Sequence, residues 1–117
     1  MDSDANSVAS GQVTELLKAA FEAQRRGDVP GALRRFEQIL ERDPRNPAAL
    51  NAIGMQALGR SDPAAAAELF QRAAEADPAA PPLWINLATA QRSAGDVEGE
   101  RASLSRVLGL EIGRAHV

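Results

Sequence analysis

Cysteine is absent from this chain, which removes disulfides, thiolate nucleophiles and sulfur-ligated metals and fits a reducing, cytoplasmic setting. Tyrosine is absent as well, and one Trp and three Phe are the whole aromatic complement. Histidine occurs once, as His116 in the last two residues, where a solvated side chain is expected rather than an acid, base or ligand. Acidic pairs such as Glu37 with Glu41 read as solvated helix-surface charges rather than a general acid and base. No Gly-rich loop follows a strand, so nothing is set to cradle a phosphate. No catalytic, cofactor-binding or metal-ligating residue is therefore expected. A net charge of −3 lacks the basic stripe of a nucleic-acid footprint. No apolar run approaches the roughly 20 residues of a membrane span. The opening MDSDANSVASG has neither a basic n-region nor an apolar h-region, and residues 1–12 are expected to be a disordered leader.

What remains is a helix former's vocabulary, rich in Ala, Leu, Glu, Gln and Arg, in 117 residues that suit one small domain. Asp43-Pro44 and Asp77-Pro78 stand 34 residues apart, each after an alternating apolar and charged run. Cut at that interval, the chain yields rows 13–46, 47–80 and 81–110 that register without a gap. Leu16, Leu50 and Trp84 share a column, as do Ala20, Gly54 and Ala88. Ala32 and Ala66 face Glu100, Phe36 and Phe70 align with Leu104, and Ile39 and Ala73 align with Val107. Asp28, Asp62 and Asp96 recur, preceded by Gly27, Ser61 and Gly95.

These columns resemble the tetratricopeptide repeat, whose period is about 34 residues and whose signature sets Trp, Leu, Gly and Tyr on a first helix and Ala, Phe and a closing Pro on a second. The departures lie at the ends: Ala20 and Ala23 stand where Gly and Tyr are usual, Glu100 replaces Ala, and Ile112 replaces the closing Pro. The resemblance implies an all-α fold, a right-handed superhelical solenoid of three helical hairpins, six helices in all. Helix cores are expected at 13–26, 30–42, 47–60, 63–76, 81–94 and 97–109.

Each column has a physical task. Gly54 and the alanines aligned with it let antiparallel helices approach closely. The recurring Asp residues cap the second helices by accepting a backbone N–H. Pro44 and Pro78 disfavour helical geometry at the preceding Asp, so one hairpin ends and the next begins. No hairpin buries its apolar face alone, so the stack is the folding unit, with Phe36, Phe70, Trp84 and Leu104 as expected anchors. Trp84 falls in a core column, which argues against ligand stacking.

In the repeat family the first helix of each hairpin lines the inner groove. The resemblance places Leu17, Phe21, Gln24, Asn51, Met55, Leu58, Ile85, Thr89 and Arg92 there, able to receive an extended peptide or a partner helix through apolar anchors. The alternative is that Leu17 and Phe21 pack on each other or beneath the leader. Relatives that clamp a C-terminal carboxylate use Lys, Arg and Asn on these helices. Lys18 is the sole lysine here, and Arg60 and Arg92 arrive only in a last turn, so that mode is not expected. Arg25, Arg26, Arg34 and Arg35 lie near Glu22, Glu37 and Glu41, which suggests a salt-laced surface.

The pattern stops after Leu110. The remaining EIGRAHV can be written GAG ATC GGA AGA GCA CAC GTC, which is similar to a common sequencing adapter, so residues 111–117 are expected to be a non-native tail. With no capping helix, an apolar end around Val107, Leu108 and Leu110 would favour self-association. The leading functional expectation is a non-catalytic scaffold with a protein or peptide partner. A second is the N-terminal repeat segment of an enzyme: residues 77–111 are similar to the region preceding the catalytic domain in bacterial aspartyl/asparaginyl β-hydroxylases, which depend on iron and 2-oxoglutarate. The iron ligands of that family belong to a domain this chain does not contain.

Overall fold

A computed structural model describes the backbone of residues 2–115 and the side chains of residues 10–114; His116 lies outside these described residues. The chain forms six helices, α1 (Asp2–Arg25), α2 (Val29–Arg42), α3 (Pro47–Gly59), α4 (Pro63–Ala76), α5 (Pro81–Ala94) and α6 (Val97–Ala115), with no strand among the described residues. The principal contacts join consecutive helices along the chain. A radius of gyration of 15.6 Å, against about 13 Å for a compact globule of similar size, marks an elongated stack of hairpins.

The punctuation works as its chemistry dictates. Asp43 and Asp77, each held before a proline, take φ of −137° with positive ψ and so end α2 and α4 outside helical geometry. The carboxylates of Asp28, Asp62 and Asp96 accept from the N–H of Gly31, Ala65 and Gly99 at 3.0, 3.2 and 2.9 Å. Asn46, which the repeat pattern did not single out, caps α3 by accepting from the Ala49 N–H at 3.0 Å. Gly27, Ser61 and Gly95 share one column and one left-handed conformation, with φ of 79°, 64° and 80°. Glycine adopts that geometry freely, and serine holds it against a steric cost.

Two apolar clusters form the core. In the first, Phe36 and Ile39 of α2 meet Ala20 and Ala23 of α1 and Ala49 of α3. In the second, Phe70 of α4 meets Trp84 and Leu87 of α5 and Ala57 of α3. Trp84 is buried, as its column implies, and its indole N–H donates to the Pro78 carbonyl at 2.9 Å. Burial of Gln91 and Ser103 is tolerated because the Ser103 hydroxyl donates to Gln91 Oε1 at 2.7 Å, leaving a satisfied polar contact between α5 and α6.

Three expectations are corrected at the ends of the stack. Residues 2–12, expected as a disordered leader, continue α1, because no proline precedes Pro30 and Gly11 alone costs a helix only about 1 kcal/mol. Helix α6 likewise passes its expected end at residue 109 and runs to Ala115, since Glu111 stands where Asp43 and Asp77 introduce their prolines. Leu104, an expected anchor, is 40% exposed, whereas Phe36 and Phe70 in its column are buried. Those phenylalanines lie beneath the first helix of the following hairpin, and nothing among the described residues covers α6 in that way. Val107 and Leu110 pack on the second cluster, so the apolar edge consists instead of Val97, Leu104, Leu108 and Ile112.

Candidate binding groove

The first helices present the expected groove residues unequally. Phe21, Met55 and Ile85 are 43%, 50% and 45% exposed, a large apolar side chain from each of α1, α3 and α5. The Phe21 ring meets Phe36 edge-on, with centroids 5.6 Å apart, and remains 43% exposed. Leu17 packs on the first core cluster and Leu58 on the second, so both serve the core as well as the face.

Asn51 and Asn86 tie neighbouring repeats together across this face. The Asn86 amide donates to Asn51 Oδ1 at 2.8 Å, linking α5 to α3. Asn86 was missing from the sequence-based set. It is the residue after Ile85, and its interval from Asn51 is one longer than the repeat period, so a search down a single column passes over it. Gln24 and Met55 share a cavity of about 150 Å³ with Val29, Leu33, Phe36 and Gln56, a pocket that draws on α1, α2 and α3. The second helix thus contributes Val29 and Leu33, which an assignment confined to first helices omits.

The far end of the face is less available. The Thr89 hydroxyl turns back to the Ile85 carbonyl at 3.0 Å. Arg92 pairs with Glu100 of α6. Lys18 pairs with Glu15 at 3.6 Å, both side chains largely exposed. The anticipated lacing among the arginines reduces to Arg26 with Glu22 at 3.5 Å, while Arg35 donates to the Gly31 carbonyl. Among the described residues no group of His, Asp or Glu is placed to hold a metal ion, and no helix is long and apolar enough to cross a membrane.

Comparison with known proteins agrees with the fold. A family model described as tetratricopeptide repeat matches residues 17–81, and a second model of the same description matches residues 57–108. Among solved structures, an O-GlcNAc transferase mutant of Thermobaculum terrenum is 32% identical over 87% of this chain and 20% of its own, with a TM-score of 0.76. The MamA protein is 21% identical over 86% of this chain and 55% of its own, with a TM-score of 0.74. The first repeat domain of Spaghetti (RPAP3), bound to the HSP90 peptide SRMEEVD, is 18% identical over 87% of this chain and 83% of its own, with a TM-score of 0.74. The likenesses to MamA and Spaghetti speak to the fold alone. The chain spans about a fifth of the transferase and about half of MamA. No curated protein sequence matches.

Proposed function

The chain belongs to the tetratricopeptide-repeat family, and from that membership we propose that it is a non-catalytic scaffold holding an extended peptide of a partner protein along its first helices. The observations that carry this reading are the Asn51–Asn86 bond between α3 and α5 and the exposed side chains of Phe21, Met55 and Ile85 on the same first helices. Each amide keeps one group beyond that bond: Asn51 Nδ2 donates and Asn86 Oδ1 accepts. Together they match the C=O and N–H of a peptide main chain, which an extended segment offers and a helix has already spent within itself. Phe21, Met55 and Ile85 supply apolar ground for the alternating side chains of such a peptide. Lys18 is the sole lysine of the chain and Arg92 pairs with Glu100, which favours an internal stretch of the partner over a free C-terminal carboxylate.

Capture of partners from a lysate by the native chain, compared with Phe21→Asp, Met55→Asp and Asn51→Ala, tests the reading. Loss of the same partners in all three variants is expected. Retention of every partner by both Asp variants overturns the groove assignment, and loss in those two with retention in Asn51→Ala points to a helix as the ligand.

One observation favours a second reading, in which the repeats position a substrate for a larger enzyme: the matching region of the Thermobaculum terrenum transferase is 20% of that chain. None of the structures compared above is an aspartyl/asparaginyl β-hydroxylase. A downstream reading frame encoding iron ligands on a double-stranded β-helix would establish that particular parent.

A further inference from the structure

The cavity of about 150 Å³ between α1, α2 and α3 lies inside the stack, away from both ends of the chain. Ala32 and Phe36 of α2 form its floor, 3% and 1% exposed, and Ala52 and Met55 of α3 line it from the side. Gln24 of α1 and Gln56 of α3 bring side-chain amides to the same space. Met55 also belongs to the exposed apolar row of the groove, so the cavity opens on that face. A buried leucine cut to alanine leaves a space of about 150 Å³, which takes up an apolar guest the size of benzene. The room here therefore suits one side chain of leucine size.

One repeat later the chain supplies such a side chain itself. Gln24, Ala32 and Phe36 share their columns with Leu58, Ala66 and Phe70. Leu58 packs on the cluster to which Ala66 and Phe70 belong, a place that the polar Gln24 leaves open in the first repeat. Ala52 likewise aligns with Asn86, which is larger and is tied to Asn51.

The surroundings of the cavity differ in charge from the rest of the chain. Residues 24–36 and 52–60 hold five arginines and one acid, Asp28, in a protein whose net charge is −3. Asp28 is engaged as the cap of α2. The ion pairs among the described residues use Arg26, Arg92 and Arg114, so Arg25, Arg34 and Arg60 stand outside them. Arg60 donates its N–H to the Gln56 carbonyl at 3.0 Å, which sets it one turn beyond Gln56 on the same side of α3. We propose that the cavity takes one leucine-sized side chain (Leu, Ile or Met) from an extended segment of the partner, with Asp or Glu beside it to meet Arg60 and the neighbouring arginines. This rests on the peptide-groove reading above and adds the chemistry of the anchor.

The test is selection on the full chain from a random peptide library of about 12 residues, roughly 40 Å when extended, displayed between linkers so that no free C-terminus is offered. Enriched sequences should share a Leu, Ile or Met with Asp or Glu beside it. In synthetic copies blocked at both ends, changing that anchor to Ala should weaken binding about 10- to 50-fold. Gln24→Leu gives the first repeat the leucine that the second already has. It should weaken the same peptides at least about tenfold, with a Tm at or above that of the native chain, and Ala52→Leu should do likewise by filling the cavity from α3. Arg60→Glu should weaken binding about threefold or more and reduce its dependence on salt. Peptides without a shared apolar anchor, or peptides that bind Gln24→Leu and Ala52→Leu as tightly as the native chain, overturn the cavity assignment; their loss in Asn51→Ala would show that the groove reading survives it. Anchored peptides with no acidic neighbour overturn the acidic partner. A library that enriches nothing overturns both the anchor and the groove.

Discussion

Gly54 of α3 lies so close to Phe70 of α4 that a Cβ on the glycine would stand 2.7 Å from the ring's Cε1. Phe70 is fully buried and walled by α5, so the ring has no room to retreat. The column that reads Ala20, Gly54 and Ala88 is thus a column of clearances, narrowest in the middle of the stack. Gly54→Ala gains up to about 1 kcal/mol of helix propensity and meets an overpacking cost of roughly 1–3 kcal/mol. A net loss of about 1 kcal/mol is expected, seen as a fall of roughly 5 °C in Tm.

Phe70 and Leu104 share a column but not a burial, and their truncations should differ accordingly. Phe70→Ala should cost about 3–5 kcal/mol, because the ring fills the space between three helices. Leu104→Ala should cost about 1 kcal/mol or less, because Leu104 already stands 40% in solvent. Urea unfolding of the two variants checks the contrast, and equal losses would mean that Leu104 is covered in solution.

Much of this architecture was legible because it is local. Proline and aspartate act on their own and adjacent residues, so Asp43-Pro44, Asp77-Pro78 and the caps at Asp28, Asp62 and Asp96 could be read directly from the chain. The exposure of Leu104 could not, since a column assigns a side chain a direction but does not supply the helix that covers it. The Asn51–Asn86 bond was hidden for a related reason. It joins neighbouring positions of successive repeats rather than equivalent ones, and the offset arises from how hairpins shift as they stack. The groove residues that also serve the core, Leu17 and Leu58, show the limit of assigning a helix position to one face.

Ser61 holds φ at 64°, while its column partners Gly27 and Gly95 hold similar angles without a Cβ. The left-handed conformation costs a non-glycine residue roughly 1–2 kcal/mol. Ser61→Gly removes that strain and returns part of the gain through the greater freedom of the unfolded chain. A net stabilisation of about 0.5–1 kcal/mol is expected, visible as a rise of about 2–5 °C in Tm; a fall would show that the serine side chain contributes more than its backbone strain costs.

Hydrogen exchange should reveal the order of the stack. Stability in such a chain is carried by contacts between neighbours, so α3 and α4, flanked on both sides, should be the most protected. Helix α6 packs chiefly on α5, at one end of the stack, and should open before them. Trp84 limits that opening: its ring lies 5.0 Å beneath the Arg106 guanidinium, and its indole is anchored to Pro78. Fraying of α6 beyond Arg106 should therefore alter the fluorescence of this sole tryptophan, while fraying short of it should not.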